Sequence, residues 1–256
     1  MNNLKKLLSF ISYKVIPFLT GEKHAPDVYI TNAFYLNWHQ LSKSMKEALP
    51  YLSGNCIDVG AGTAPYQEMI STKVDKYIVA DYTDTRASMF ALASSEFVEA
   101  DVLNLPFENE SADSVIFTQV LEHVSDPNLA LDQITRVLKT DGILVISVPF
   151  IYQAHAQPHD YWRFSQHGIK KLLHDRNYEI KLFHYQGYLG TTLFSILNGF
   201  IWELSSKNKF VRNFILLPIL LIIFGINNFL GLIMDSIKLQ AYSPNFFIVA
   251  QKKEAK

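Results

Sequence analysis

Cys56-Ile57-Asp58-Val59-Gly60-Ala61-Gly62-Thr63 constrains the fold of this chain more than any other stretch. An apolar pair leads into Asp58, and two glycines then let the backbone pass close to a ligand without a Cβ in the way. Helical residues are expected from about Pro65. Strand, glycine turn and helix N-terminus, in that order, form the ligand-binding corner of a doubly wound α/β sheet.

A lone G-x-G is common, so its neighbours decide the ligand. Tyr77-Ile78-Val79-Ala80-Asp81 reads as a second strand ending in a carboxylate, at about the spacing of a ribose contact. Phe97-Val98-Glu99-Ala100-Asp101 reads as a third strand, also ending in Asp. These ends would set Asp58, Asp81 and Asp101 along one crevice. A dinucleotide fingerprint would carry a third glycine near position 65, where this chain has Pro65. A pyrophosphate would also be repelled by Asp58. S-adenosylmethionine (SAM) has no phosphate and carries an ammonium and a sulfonium, so an acidic pocket suits it.

Residues 51–149 resemble a class I SAM-dependent methyltransferase of the type 11 group. The matching pieces are Asp58 to Thr63, Asp81, Ala100 to Phe107, Phe117 to Val124 and Leu138 to Val145, in family order and at family spacing. The resemblance implies a doubly wound, mostly parallel seven-stranded sheet with SAM as cofactor. It implies that Asp58 and the backbone of Gly60 and Gly62 hold the methionine end of SAM. Asp81, followed by Tyr82, would take the ribose hydroxyls, and Asp101 beside Val102 would accept from the adenine amine. Gln119 falls where the family touches the cofactor across from the first turn. Two of these have a structural alternative: Asp101 as a turn former before Leu103, and Gln119 as a satisfied strand end.

The remaining core elements follow from pattern. Ala112 to Thr118 reads as strand four, and Asp126-Pro127 opens a helix to about Leu138. Asp141-Gly142 turns into strand five, Ile143 to Val148. Ser165 reads as the N-cap of a helix to about His174. Tyr178 to Tyr185 and Asn245 to Gln251 read as strands six and seven, expected as an antiparallel edge. Alternating strands and helices mean a mostly parallel sheet.

The loop from Pro149 to Phe164 follows strand five and holds His155, His159, Asp160, Tyr161, Trp162 and Arg163. Methyl transfer needs in-line positioning and, for a hydroxyl acceptor, removal of a proton. His159 and His155 are the candidate bases, with Asp160 orienting an imidazole or binding a sugar hydroxyl. The structural alternative is an Asp160–Arg163 ion pair beneath Trp162. The run His159 to Phe164 resembles a signature of bacterial methyltransferases encoded among cell-surface polysaccharide genes, which implies a sugar or lipid-linked glycan acceptor. Gln119-Val-Leu-Glu122-His123 resembles the Glu-x-x-Glu-His segment of ubiquinone-pathway O-methyltransferases, where those groups bind a divalent metal. Gln119 in the first position removes one charge, so no metal is expected.

Between strands six and seven the family needs only a short connection, but here about fifty extra residues intervene. Tyr188 to Trp202 and Asn213 to Met234 carry no charge, against 18% charged residues overall. The first arm gives about 22 Å of helix, short of a roughly 30 Å hydrocarbon core. Pro218, Gly225, Asn227 and Asn228 are expected to interrupt the second. A shallow or re-entrant helical hairpin on a membrane fits these arms, with a homodimer interface and an active-site lid as alternatives. Residues 3–19 read as a basic amphipathic helix, either on a membrane surface or packed on its own domain.

The expected regions are therefore 1–50 (amphipathic and cap helices), 51–187 (SAM-binding α/β core), 188–243 (apolar helical insertion) and 244–256 (final strand and tail). Net charge is −1, so no nucleic-acid partner is expected. The single cysteine, Cys56, fits a reducing compartment. Together these point to the cytoplasmic side of an inner membrane. A non-catalytic SAM-fold binding protein and a quinone-pathway enzyme with a polyprenylated phenol as acceptor are the alternative functions.

Overall fold

The computed structural model describes residues 28–82, 96–205 and 211–254. The amphipathic helix expected over residues 3–19 lies outside them. Seven strands form one sheet in the order β3-β2-β1-β4-β5-β7-β6. β1 (Asn55–Val59), β2 (Lys76–Asp81), β3 (Glu96–Glu99), β4 (Ala112–Thr118) and β5 (Leu138–Pro149) are parallel. The apolar, buried runs of β2, of β4 and of β5 from Ile143 to Val148 fit strands covered on both faces, whereas β3, with Glu at both ends, is only partly buried.

β7 (Asn245–Lys252) is antiparallel to both of its neighbours, β5 and β6 (Tyr178–Tyr185). The expected antiparallel edge is present: β6 and β7 pair antiparallel, with β6 running in the direction of the parallel set and β7 alone reversed. The cause lies in the connections. β6 is reached from β5 through a helical crossover, which permits a parallel direction, whereas β7 pairs directly with the strand before it. As a result the chain leaves the sheet at Tyr185 and returns at Asn245 on the rim formed by the carboxyl ends of the parallel strands.

Local signals hold at most boundaries. The Asp126 carboxylate accepts from the amides of Asn128 and Leu129, both at 3.0 Å, and Pro127 occupies the first turn. The one-turn helix α2 (Gln67–Ile70) follows the glycine turn. α3 (Pro127–Val137) buries Ala130, Leu131, Ile134 and Val137, the stripe expected of a helix laid on a sheet. Ser165 Oγ accepts from the amide of Gly168 and caps α4 (Gln166–His174). β3 stops at Glu99, so Asp101 lies two residues beyond the strand that was expected to end on it. β5 begins at Leu138, paired with Ala112, rather than at Ile143. The extended pairing survives Asp141, whose φ is +60°, because the register shifts between Ala112 and Ser114.

The chain divides into two compact units: residues up to Ser42 with Gln186–Pro244, and Lys43–Tyr185 with Asn245–Lys256. The division falls inside α1 (Tyr35–Ala48). The reason is a set of contacts from residues 30–36 to the helical hairpin. That hairpin consists of α5 (Leu189–Ser205) and α6 (Leu217–Met234), the latter preceded by a π-helical turn, Val211–Leu216.

Within this helical unit the two helices meet at Gly190 and Gly231. A Cβ on Gly190 would run into the carbonyl oxygen of Gly231, the close backbone approach that small residues permit. Asn198 Nδ2 donates to Asn228 Oδ1 at 2.9 Å, and Asn227 Nδ2 donates to Asn198 Oδ1 at 2.8 Å. Asn228 Nδ2 also donates to the carbonyls of Ile30 and Asn32. Contrary to expectation, Gly225, Asn227 and Asn228 do not interrupt α6. The asparagines make their hydrogen bonds within the unit, and Pro218 sits in the first turn, where its missing N–H costs nothing.

Candidate active site

The carboxyl ends of β1, β2, β4 and β5 bring the predicted residues to one rim. Gly60 and Gly62 have φ of +69° and +59°, which favours glycine at both. A Cβ on Gly60 would meet the Val120 side chain at 2.6 Å, while one on Gly62 would meet nothing within 4 Å. The turn therefore packs on β4 at its first glycine and opens at its second. Asp81 bridges the turn to β2: its two oxygens accept from the amides of Gly62 and Tyr82, each at 2.7 Å.

Asp58 is 3% exposed and takes a hydrogen bond from the Tyr77 hydroxyl. Burial pushes its carboxyl up to about 7; the Tyr77 hydrogen bond opposes this and the charge of Asp81 adds to it. A cation brought to the turn would restore ionisation. The hydroxyls of Thr63 and Tyr66 are buried without a hydrogen-bond partner. Orphaned donors beside an under-ionised acid and an open glycine fit a polar, cationic ligand such as the methionine end of SAM. If SAM binds here, the turn holds that end and Asp81 meets the ribose.

Asp101 forms a turn: its Oδ1 accepts from the Leu103 amide at 2.9 Å, and Val102 is buried in the core. Gln119, at φ +56°, ties the end of β4 to β5. Its amide donates to the Ser147 carbonyl and its Nε2 to the Ser147 hydroxyl, both at 3.0 Å.

In the loop after β5, Arg163 grips Asp160 with two 2.7 Å bonds and also donates to the carbonyls of Tyr152, Gln153 and Trp162. Asp160 Oδ2 further accepts from the His155 amide at 2.9 Å. The Arg163 hydrogen bonds hold the Asp160 carboxyl well below the usual carboxylate range. Asp160 is thus a staple of the loop, 3.6 Å from the His155 ring. Burial lowers the pKa of His155, with neighbouring His123 adding to the effect. His159 is exposed, and its Nδ1 lies 3.1 Å from the Tyr161 hydroxyl.

The loop is pinned to the end of β4. The Glu122 carbonyl accepts from the amides of Tyr161 and Trp162, and Trp162 Nε1 donates to the Val124 carbonyl. Sequence reasoning considered Glu122 only as part of a discounted metal-binding segment and had no sign of its burial. The Glu122 side chain is fully buried, neither oxygen has a well-formed hydrogen bond, and burial pushes its carboxyl up to about 8 against the pull of its own backbone amide and the charge of Arg163. The available signal was a Glu-His pair just past a strand's carboxyl end.

Solved structures share this architecture. The [4+2]-cyclase SpnF superimposes with a TM-score of 0.59 at 17% identity, covering 85% of this chain and 84% of its own. A putative methyltransferase from Bacillus halodurans gives 0.51 at 16% identity, covering 82% and 98%. At such identities the likeness concerns the fold alone, and one of the two is a cyclase. Residues 57–146 match the family model described as "Methyltransferase domain". Residues 57–146 are thus a methyltransferase domain, set in a sheet with the class I methyltransferase fold.

A probable S-adenosylmethionine-dependent methyltransferase of Mycobacterium tuberculosis is 28% identical over 133 residues, 51% of this chain and 48% of that protein. A demethylmenaquinone methyltransferase of Clavibacter sepedonicus is 30% identical over 102 residues, 38% and 42% of the two chains. The chain thus spans about half the length of the curated relatives it matches. The matched segment of the methyltransferase domain runs from β1 into β5 and contains Asp58, Gly60, Gly62, Asp81, Asp101 and Gln119, but not the loop with His155 and His159.

Proposed function

We propose that the whole chain is a SAM-dependent O-methyltransferase acting on a sugar or lipid-linked glycan precursor at the cytoplasmic face of the inner membrane. The observation that carries the transfer is the glycine turn, with buried Asp58 short of a cation and Asp81 tied to the Gly62 amide. In the reaction the acceptor oxygen forms a bond to the methyl carbon as the carbon–sulfur bond breaks. S-adenosylhomocysteine leaves, and the hydroxyl proton passes to a base. His159, exposed on the rim loop, is the candidate for that base.

The glycan acceptor is supported by the resemblance of the run His159 to Phe164. The membrane is supported by the helical unit, whose helix over Leu217–Ile237 is long and apolar enough to cross a bilayer, with a mean hydropathy of 2.2. A homodimer through the same face is the alternative for that surface. The second acceptor class is a polyprenylated quinol, favoured by the demethylmenaquinone methyltransferase among the relatives. A probable tRNA methyltransferase 9B of Bos taurus is also similar, at 30% over 140 residues and 29% of its length. A net charge of −1 gives no electrostatic support for an RNA acceptor here.

The test uses the detergent-solubilised full chain. Calorimetry is expected to show SAM binding in the micromolar range, weakened by Asp81→Ala by about tenfold or more. Radiolabelled SAM is then expected to label glycolipid fractions in preference to a demethylmenaquinol. No heat with SAM would end the methyltransferase reading, and label only in the quinol would replace the acceptor.

A further inference from the structure

Glu122 and His123 lie in the single turn Leu121–His123 that follows β4, and His155 lies in the loop that follows β5. The Glu122 carboxyl is fully buried and neither of its oxygens has a well-formed hydrogen bond. His123 Nδ1 is 2.6 Å from the His159 carbonyl. A carbonyl can only accept, so Nδ1 carries the hydrogen, and Nε2 is the ring nitrogen left to offer a lone pair to a ligand. That Nε2 lies 3.8 Å from Glu122 Oε1. A carboxylate oxygen and an imidazole lone pair face each other favourably only across a shared cation.

The shared cation has a third neighbour. The His155 ring packs edge-on against His123 with centroids 4.8 Å apart, and one ligand atom from each of Glu122, His123 and His155 lies within 4.8 Å of the others. A proton shared between Glu122 and His123 would need no third group. We propose that Glu122, His123 and His155 form a binding site for one divalent transition-metal ion of the zinc type, on the carboxyl-end rim of the sheet.

The geometry suits such an ion. Ligands bound at about 2.1 Å in a tetrahedral shell stand about 3.4 Å apart, so the Glu122–His123 pair, at 3.8 Å, is already close to that spacing. A closure of about 1.4 Å or less by His155, which rides on a loop, completes the set. Two imidazoles and one carboxylate select zinc or its first-row neighbours over magnesium or calcium, which prefer all-oxygen shells. The outer shell is also built: the His159 carbonyl orients His123, and the Asp160–Arg163 pair anchors the His155 backbone. The expectation of no metal weighed Gln119, Glu122 and His123 alone and had no means of counting His155. The site stands on these three residues whether or not the chain transfers methyl groups.

The full chain, purified in detergent and stripped with chelator, is titrated with zinc chloride by calorimetry and with cobalt chloride by visible absorption. One equivalent is expected to bind, with cobalt d–d bands and a rise in melting temperature on adding zinc. His155→Ala is expected to weaken zinc binding by at least about tenfold and to alter the cobalt bands. Glu122→Gln should do the same, while His174→Ala, on an exposed surface, leaves binding unchanged. Circular dichroism checks that each variant is folded. If Glu122→Gln does not fold, the loop variant His155→Ala carries the test. No binding by the stripped chain, or zinc affinity unchanged in His155→Ala, overturns the site and leaves a proton shared by Glu122 and His123.

Discussion

The two units of this chain arrange polarity in opposite ways. In the α/β unit the largest apolar side chains are inside: Phe117, Phe246 and Phe247 are at most 1% exposed. In the helical unit Asn198 and Asn228 are completely buried, while Phe200, Ile222 and Phe229 are more than half exposed. Among the described residues, thirteen large apolar side chains between Leu193 and Ile237 are exposed. A soluble monomer rarely leaves so contiguous an apolar surface uncovered. The polar groups of the hairpin pair with one another and its glycines pack helix on helix, the pattern of segments whose outside is not water. Hydrophobic burial drives the first unit together, while the second adds hydrogen bonding and close backbone packing to a small apolar cluster around Ala33, Leu220 and Phe224.

The largest effect would come from separating the two. A chain starting at Lys43, with Gln186–Pro244 replaced by a short Gly/Ser turn, is expected to move from the membrane pellet to the soluble fraction. The sheet should survive, because Tyr185 and Phe246 are already paired neighbours. If the full chain is a dimer in water without detergent and the truncated one a monomer, the exposed face is a subunit interface instead.

Gly190→Leu comes next. Its side chain has no room against the Gly231 carbonyl, so the helical unit should lose about 3 kcal/mol or more, seen as rapid proteolysis within residues 186–244. SAM affinity should not change. A loss of SAM binding in this variant would show that the two units do not act separately.

The converse variant is His159→Ala. Turnover should fall by roughly 10²-fold while membrane partition and SAM affinity stay as they were. Unchanged turnover would leave His159 with no role beyond the carbonyl that accepts from His123.

The smallest effect concerns pH. The Asp58 carboxyl ionises near its ordinary value of 3.8 in the unfolded chain but at about 7 in the folded one. The unfolded state therefore binds fewer protons between these values, and stability of the SAM-free protein falls as pH rises from about 4 to about 7. Asp58→Asn should flatten that slope and raise the melting temperature at pH 8 by about 5 °C, while weakening SAM binding. An unchanged slope would mean that Asp58 is already ionised in the folded protein.

Much of the fold was legible because its signals are local. β4 and β6 have the ends read from alternation and turn residues, and Ser165 and Asp126 cap their helices as their side chains predict. Even the oddity of the helical unit shows in two uncharged arms. The departures occur where a neighbour overrides a local cue. β5 starts early because Ala112 pairs with Leu138, and α6 runs through its asparagines because Asn198 and two backbone carbonyls satisfy them.

For the candidate site, the sequence by itself determined the glycine turn and the acids near the strand ends, since each depends on a few adjacent residues. Only the tertiary structure decided what those groups can do. Asp101 spends an oxygen on its own turn, Asp160 is bound by Arg163, and Glu122 is sealed beside two imidazoles, one of them more than thirty positions away in the chain. Burial and pairing are properties of distance in space. They set which carboxyl is ionised and which lone pair is free, and residue order carries no direct record of either.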